Sequence, residues 1–411
     1  MLSEAPSSKK RWKRLLKQRN SSRLAGSRSR SAKSQVDLIL LAAVGLLLPV
    51  GILMVYSSSN AVSREYFDNS YHFFEMQTLW CCIGLMLMLF TAFFNYRTYQ
   101  RLAWLMLLIS GILLLLVYIP GMGIEHGGSV RRLGIGRFRF QPVEFAKLGI
   151  IIYVAQFLNR KKDYIGNFKR AVLPSLIVLV IFFALIYKQP DFGSLVIIGL
   201  VVFAMLFVGG ARIHQMALLM VAAGVLVAIG ILMAPYRVVR WTTYLNPWKD
   251  AEGTGYHIIQ SFYALGSGGI LGVGLGNGMQ KLHYLPTPHT DFIFAVIGEE
   301  LGFIGSFSIV LLFMVIVWRG IRISLSTRDR FGSLLAFGIA FLIGIQAFVN
   351  ISVVTGTLPT KGLTLPFISF GGSSMLVSLA SVGILLNISR NRTLENKLQS
   401  RGIKFASPTG E

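Results

Sequence analysis

DLILLAAVGLLLPVGILMVYS, residues Asp37–Ser57, is the stretch of sequence that decides the fold. Only its first residue is charged, and as a helix it is long enough to cross the roughly 30 Å hydrocarbon core of a bilayer. The whole chain of 411 residues is 54% hydrophobic and 14% charged, a balance typical of membrane proteins. The sequence therefore predicts a polytopic membrane protein.

Apolar runs of similar length recur along the chain, and we count ten predicted membrane spans. They lie near Asp37–Ser57, Phe74–Phe94, Ala103–Tyr118, Gln141–Leu158, Ala171–Tyr187, Phe192–Val208, Ile213–Met233, Phe292–Val317, Gly332–Val354 and Phe367–Leu386. The turn KQPD (Lys188–Asp191) is too tight for anything but a helical hairpin between the fifth and sixth spans. The predicted fold class is an all-α polytopic membrane protein with ten transmembrane helices.

The distribution of basic residues predicts the orientation in the membrane. Ten spans place both termini on one side, and the tails and even-numbered connections hold about 28 of the 40 Lys and Arg residues. Because basic connections stay in the cytoplasm, we expect both termini there. The chain then divides into a disordered basic tail (1–36), a transmembrane domain (37–388) with a large periplasmic loop (234–290) between helices 7 and 8, and a cytoplasmic tail (389–411).

Composition also excludes several classes of function. The net charge of +23 is spread over membrane-flanking segments without stacking aromatics, so it indicates anionic lipid heads and no nucleic acid. Cys81 and Cys82 are adjacent within the second span, so we expect them to pack in the core and form no disulfide. The histidines show no metal-ligand spacing, and we predict no metal site formed by the protein.

Polar residues at the ends of the spans are the functional candidates, because they cost free energy in a membrane. The segment RRLGIGRFRFQPVEFAK (Arg131–Lys147) carries four arginines into the fourth span. They suit an anionic ligand such as a diphosphate, or else phosphates of the outer leaflet. Glu144 and Lys147 are three residues apart and share a helix face, either as a structural ion pair or as the lining of a polar cavity.

Two further segments offer polar groups on the same predicted side. In QPDFGS (Gln189–Ser194), Asp191 falls in the first turn of the sixth span, where it can cap the helix. The 234–290 loop supplies cations and aromatic faces suited to phosphates and sugars, namely Arg237, Arg240, Trp241, Tyr244, Trp248 and Tyr256. Its glycine-rich run, Ala264–Gly278, permits close approach of the backbone.

Asp291 is the most informative carboxylate in the sequence. It stands in LPTPHTDFIF (Leu285–Phe294), at a predicted aqueous mouth beside His289 and phenylalanines that raise a carboxyl pKa by desolvation. That setting suits a general base, and helix capping by Asp291 or Thr290 is the alternative. At least one of Glu299 and Glu300, about two turns further, must face the interior of the bundle.

A last polar segment, TGTLPTKGLTLPFISFGGSS (Thr355–Ser374), leads into the tenth span. Its prolines and paired glycines predict a re-entrant loop, and Lys361 adds a further cation on the outer side. One acid among several cations and aromatics favours a lipid-linked anionic sugar as the substrate. In glycosyl transfer from a polyprenyl diphosphate, one carboxylate takes the proton of the attacking hydroxyl, and cations stabilise the departing diphosphate.

Two other classes remain open at this stage. A transporter or flippase is the main rival, since Glu144, Lys147, Glu299 and Glu300 could line a path through the membrane. A scaffold that only recruits partners would need neither the external cations nor Asp291.

Four segments carry a resemblance to the SEDS family (shape, elongation, division and sporulation). They are QPVEFAK, QPDFGS, the block from Gly255 to Gly302, and VNISVVTGTLPTKGLTLPFISFGGSS. The resemblance implies ten helices and polymerisation of lipid II, an undecaprenyl-diphosphate-linked disaccharide peptide, into septal peptidoglycan. It further implies a class B penicillin-binding protein as partner, activators of division, and a bacterial inner-membrane location at the septum. An elongation-type polymerase is the alternative within the family.

The family's proposed catalytic aspartate corresponds to Asp291, which agrees with the interpretation from the residues alone. The predicted substrate-binding set is Glu144, Lys147, Arg132, Gln189, Asp191, Arg240, Gln260, Lys281, His289, Lys361 and Ser373. No cofactor is indicated with certainty, and a divalent cation, Mg²⁺ or Mn²⁺, is compatible with a diphosphate leaving group.

Overall fold

The computed structural model describes residues 36–126, 129–135, 138–282 and 284–399. The predicted basic tail lies, apart from Val36, outside these residues, as does 400–411. The helices are α1 (Leu38–Phe67), α2 (His72–Phe93), α3 (Tyr96–Leu116), α4 (Pro142–Arg160), α5 (Leu173–Tyr187), α6 (Phe192–Val208), α7 (Ile213–Leu232), α8 (Pro235–Leu245), α9 (Tyr256–Gly268), α10 (Ile293–Ser326), α11 (Arg330–Val354) and α12 (Gly372–Gln399). A π-helical turn, Phe168–Val172, leads into α5.

A helix occupies the position of each predicted span. Within the described residues, eight helical segments are long and apolar enough to cross a membrane: α1, α2, α3, α5 with its π-turn, α7, α10, α11 and α12. The other two are α4, which carries Glu144 and Lys147, and α6, which has 17 residues. The protein is therefore an integral membrane protein of mostly helical fold, and the count of ten spans stays a prediction.

The all-α expectation is wrong in one respect, because a small antiparallel sheet lies between α3 and α4. Its strands are β1 (Gly123–His126), β2 (Ser129–Ile135) and β3 (Phe138–Phe140), in the order β1-β2-β3. Leu133 of β2 pairs with Gly123 on one side and with Phe140 on the other. Leu133 of β2 is buried, Arg131 and Arg132 are half-buried, and Arg139 of β3 is exposed.

Two further segments contain helix. The 234–290 loop contains helices α8 and α9, and α12 continues to Gln399, so the segment predicted as a tail from residue 389 begins as helix. α4 is buried along most of its length, whereas α7 exposes most of its apolar side chains. The exposed apolar surface of α7 suits contact with lipid. α4, in contrast, lies inside the helix bundle.

α10 breaks at Gly302, whose backbone is non-helical (φ 67°, ψ −165°). Just before this break, Glu299 and Glu300 are both almost fully buried. The Glu300 carboxylate accepts hydrogen bonds from the Lys281 ammonium (2.6 Å) and the Ser57 hydroxyl (2.7 Å). The prediction that at least one of the two glutamates faces the interior is confirmed, and both do.

Glu299 and Glu300 also bind the glycine-rich run. Glu299 accepts from the amides of Met279 (2.7 Å) and Gln280 (3.1 Å), and Glu300 accepts from that of Gly276 (3.1 Å). The run approaches α10 closely, since a Cβ atom on Gly272 would lie 2.1 Å from the Glu300 carbonyl oxygen. The two carboxylates thus fix the segment that leads toward Asp291.

Replacing Lys281 by Met is expected to destabilise the fold. Removing one member of a buried ion pair leaves the other charge unpaired, which costs about 3–5 kcal/mol. The double variant Lys281→Met/Glu300→Met should lose much less than the sum of the two single changes, because it removes both buried charges. Thermal unfolding in detergent measures this, with the exposed Lys249→Met as control; additive losses would show that the two side chains do not act as a pair.

Candidate active site

Asp291 precedes Phe292, the N-cap residue of α10. No side-chain hydrogen bond caps this helix end, and the Thr290 hydroxyl bonds instead to the Thr287 carbonyl. The alternative of helix capping by Asp291 or Thr290 is therefore wrong. The Asp291 side chain is half-buried, and its Oδ2 lies 3.0 Å from where a Cβ atom on Gly362 would stand. The loop after α11 thus forms one wall of the site.

Arginines from two separate segments act electrostatically on the Asp291 carboxylate. They are Arg131 and Arg132 of β2, and Arg240 of α8. Burial raises the pKa of Asp291 to about 6, and the three positive charges partly oppose that rise. None of these guanidinium groups forms a direct ion pair with Asp291, so the acid and the cations face one another without neutralising contact.

The sheet is tied to the turn between α5 and α6. The Arg131 guanidinium donates to the carbonyls of Gln189 (3.0 Å) and Pro190 (2.9 Å). The buried Gln189 amide in turn donates to the Leu114 carbonyl at the end of α3 (3.1 Å). Gln189 therefore has a structural task, and Arg131 holds β2 so that the neighbouring Arg132 reaches the site.

Asp191 both caps a helix and contributes charge to the site. Its carboxylate accepts from the amide (3.1 Å) and the hydroxyl (2.8 Å) of Ser194, which confirms the capping interpretation for α6. The Asp191 charge also acts on Asp291, raising its pKa, and on Lys361. Burial lowers the pKa of Lys361, and Asp191 opposes that shift. The Lys361 ammonium lies 5.4 Å from the ring centroid of Phe192.

α8 is an amphipathic helix that brings Arg240 to the site. Val238, Trp241 and Leu245 follow the spacing i, i+3, i+7, and the last two are exposed. The Arg237 guanidinium is buried, donates to the Gly230 carbonyl (2.6 Å) and lies 4.7 Å from the ring centroid of Phe192. Arg237 thereby fastens α8 to the end of α7.

His257 was not predicted as a site residue, yet it lies beside the site. Its ring stacks on that of Phe292, with centroids 5.9 Å apart. Desolvation and then the charge of Arg240 lower the pKa of His257, so the imidazole is neutral at pH 7. In the sequence it differs in no way from the other scattered histidines.

Four of the predicted binding residues are engaged elsewhere. Glu144 and Lys147 form a buried ion pair of 2.6 Å, as the structural alternative expects. Lys281 is paired with Glu300. The His289 ring lies against Phe73, with centroids 4.5 Å apart, and burial lowers the pKa of His289 to about 4, so it is a neutral packing group.

The remaining two predicted binding residues, Ser373 and Gln260, lie on α12 and α9. The Ser373 hydroxyl accepts a hydrogen bond from the backbone amide of Gln141, the residue before α4 (2.8 Å). Gln260 lies on α9 and is half-buried. The structure thus brings together Asp291, Arg132, Arg240, Asp191 and Lys361, and gives Ser373 a backbone partner.

Fold and site together define an integral membrane protein in which one half-buried acid faces several cations. The model of the FtsW, RodA and SpoVE family, described as cell cycle protein, matches residues 37–394. This chain therefore belongs to that family, the SEDS family, as the sequence motifs predicted.

Named relatives are similar in sequence over nearly the whole chain. Stage V sporulation protein E of Bacillus subtilis is 46% identical over 359 residues, covering 87% of this chain and 98% of that protein. The Geobacter sulfurreducens protein named probable peptidoglycan glycosyltransferase FtsW is 44% identical over 353 residues, covering 86% of this chain and 95% of its own.

Solved structures share the fold. A chain from a peptidoglycan synthase complex that coordinates polymerization and crosslinking matches with a TM-score of 0.73 and 28% identity, covering 87% of this chain and 98% of its own. The rod shape determining protein RodA of Thermus thermophilus matches with a TM-score of 0.64 and 25% identity, covering 87% and 97%.

Replacing Asp291 by Asn is expected to raise the thermal stability at neutral pH. The pKa of Asp291 rises from 3.8 to about 6 on folding, so the folded state holds this proton more tightly. Stability is therefore lost as pH rises from about 4 to about 6, and the full penalty persists above that range. Asn does not ionise, so the gain in Tm should be present near pH 7 and absent near pH 4.

Asp250→Asn is the matched control, because the pKa of Asp250 shifts in the opposite direction on folding. Hydrogen bonds from Thr254 lower the pKa of Asp250, so its ionised form stabilises the fold above the unfolded pKa, and Asn should bring no gain at neutral pH. Tm values of the native protein and both variants in detergent, near pH 4 and near pH 7, test this prediction. An equal change in the Tm of Asp291→Asn near pH 4 and near pH 7 would show that desolvation of the carboxylate does not destabilise the native protein.

Proposed function

We propose that this protein is a peptidoglycan glycosyltransferase that polymerises lipid II into glycan strands for the septal cell wall. The observation that carries the proposal is the half-buried Asp291, with a pKa of about 6, facing arginines from β2 and α8. The name of the Geobacter relative and the synthase complex that shares the fold support the reaction class.

In this reaction Asp291 acts as the general base. A carboxylate with a pKa near 6 is largely ionised at pH 7 and is a stronger base than an ordinary aspartate. It takes the proton of the acceptor sugar hydroxyl while that oxygen attacks the anomeric carbon of the donor. The bond from this carbon to the diphosphate breaks, the electron pair leaves on the diphosphate oxygen, and attack from the opposite face inverts the α donor to a β-1,4 linkage.

Arg132, Arg240 and Lys361 hold the diphosphate in this proposal. Arg132 and Arg240 act on Asp291 and Lys361 acts on Asp191, in each case without a direct ion pair, so their charges remain available to an anion. Desolvation strengthens their attraction for phosphate oxygens. The leaving group is already stabilised, and a second, acid-donating carboxylate is not required.

We further propose that Mg²⁺ or Mn²⁺ enters together with the diphosphate. Within the described residues, no group of three or more His, Cys, Asp or Glu side chains is placed to hold a metal ion. The residues present therefore fit an ion carried mainly by phosphate oxygens, with Asp191 and Asp291 as the nearby carboxylates. Such an ion would neutralise charge on the leaving group.

The partners and the cellular role are proposed on the same basis. A class B penicillin-binding protein would supply the transpeptidase, divisome activators would control the pair, and the location would be the inner membrane at the septum. Roles in sporulation or elongation are the alternatives, since relatives named for both share this fold.

A lipid II flippase is the rival function. Its path would use Glu144, Lys147, Glu299 or Glu300. In the structure all four form ion pairs or hydrogen bonds to the protein, which favours structural tasks for them.

Asp291→Asn is expected to reduce lipid II polymerisation by roughly 10²–10⁴-fold, the usual contribution of a general base. In the native protein the rate should rise with pH through about 6, because the base is active when deprotonated. Glycan synthesis by the purified protein with its transpeptidase partner, followed from pH 5 to 8, measures both effects.

The exposed Glu252→Gln in the same loop is the control and should keep the native rate. Full polymerisation by Asp291→Asn would exclude Asp291 as the base. Translocation of lipid II in vesicles that persists in Asp291→Asn and is lost in Glu144→Gln, without polymerisation by the native protein, would establish the flippase instead.

Lys361→Met and Arg240→Met should each lower kcat/KM for lipid II by about 10²-fold, the scale for loss of one group that stabilises charge in a transition state. Lys249→Met removes a cation from the exposed turn after α8 and should leave kcat/KM within about twofold. If the three variants lowered kcat/KM equally, the cause would be a general attraction of basic residues for an anionic lipid.

A further inference from the structure

Three consecutive backbone carbonyls immediately before α10 are each held by a donor from outside the segment. The His289 carbonyl accepts from the Phe370 amide (2.9 Å), and the Thr290 carbonyl accepts from the Ser369 hydroxyl (2.6 Å). The Asp291 carbonyl accepts from the side-chain amide of Asn350 (2.9 Å). The segment that carries the acid is thus fixed by its backbone, while its carboxylate has no direct partner among the described residues.

Asn350 makes the contact that lies at Asp291 itself. It is a nearly fully buried residue in the last two turns of α11. Its Nδ2 donates to the Asp291 carbonyl and also to the Leu363 carbonyl (2.6 Å). The opposite amide orientation would set the side-chain oxygen against these two carbonyl oxygens, so the assignment of the nitrogen is chemically determined.

The second hydrogen bond links the acid to a cation. Leu363 follows Lys361 by two residues, and the intervening Gly362 is the residue that faces the Asp291 carboxylate. One side-chain nitrogen therefore sets the distance between the backbone of Asp291 and the loop that carries Lys361. The other amide atom, Oδ1, is buried and accepts no hydrogen bond within the described part of the chain, so the two donations are the role that the structure gives to this amide.

We infer that Asn350 is a positioning residue, which holds Asp291 and the Lys361 loop in reacting geometry by donating to both of their backbones. This inference rests on the proposed function. Placement within a fraction of an ångström is what such a reaction demands, since a shift of about 1 Å can lower a rate 10²-fold. Ser369, which holds the adjoining carbonyl and also accepts from the Leu365 amide (2.8 Å), assists in the same way.

The test compares Asn350→Asp, Asn350→Leu and Ser369→Ala in the full-length protein with its partner, measured per folded molecule. Both Asn350 variants keep the size of the side chain and remove its donors. We expect kcat for lipid II polymerisation to fall by about 10–100-fold with KM changed less than about twofold. The midpoint of the pH–rate curve should also shift, because a displaced carboxylate has a new distance from Arg132 and Arg240.

A double-mutant cycle and a control complete the experiment. Asn350→Leu and Ser369→Ala act on one segment, so their combined effect on kcat should be clearly smaller than the product of the two single effects. Gln346→Leu removes another buried amide one turn earlier on α11 and should retain kcat within about threefold.

The inference is overturned if the Asn350 variants match Gln346→Leu in kcat, or if the midpoint of their pH–rate curve stays at its native value. It is also overturned if the decrease in kcat of the double variant Asn350→Leu/Ser369→Ala equals the product of the two single decreases. Asp291→Asn is measured beside them. An active Asp291→Asn would sink the proposed base itself, whereas an inactive Asp291→Asn beside fully active Asn350 variants would sink the positioning role alone.

Discussion

Attraction between one half-buried carboxylate and cations from distant parts of the chain is the interaction on which this site depends. Arg132 comes from a strand, Arg240 from an amphipathic helix, and Lys361 from the loop after α11. Each of these elements has its own anchor: the turn at Gln189 for β2, the end of α7 for α8, and the Asn350 side-chain amide for the loop. Since like charges repel, the cations gather only because the acid and Asp191 stand among them and the anchors hold them.

The buried and half-buried acids among the described residues fall into two kinds. Glu144, Glu299, Glu300 and Asp191 all have hydrogen-bond or ion-pair partners, and these contacts join helices, turns and loops. Asp291 is half-buried, and its carboxylate has no such partner among the described residues. Burial without a partner keeps its pKa well above that of an ordinary aspartate, and this difference separates a candidate reacting group from structural charges.

Much of this could be predicted from the sequence, and the exceptions have physical reasons. The helices follow from apolar length, and Asp291 follows from its place at a span end beside His289 and phenylalanines. The sheet was not predicted because its strands are short, so that the alternation of apolar and polar residues that marks a strand extends over few residues between the two spans. Lys281 and His289 were predicted to bind substrate because their chemistry suits it, but Glu300 and the phenylalanine rings that engage them are distant in sequence. Asn350, like Gln346 one turn earlier, is an amide within an apolar helix, and a polar residue at that position is a signal in the sequence for a structural or functional contact.

The glycine-rich run beside α10 limits which sequences this fold accepts. Gly272 and Gly274 have φ values of +83° and +98°, and the run lies against the Glu300 backbone without room for a Cβ atom at Gly272. Each L-amino acid introduced there meets backbone strain, and at Gly272 it also meets a collision. Laboratory evolution of this protein would therefore find few tolerated substitutions in the run and many in the exposed turn around Lys249, although both belong to the same loop.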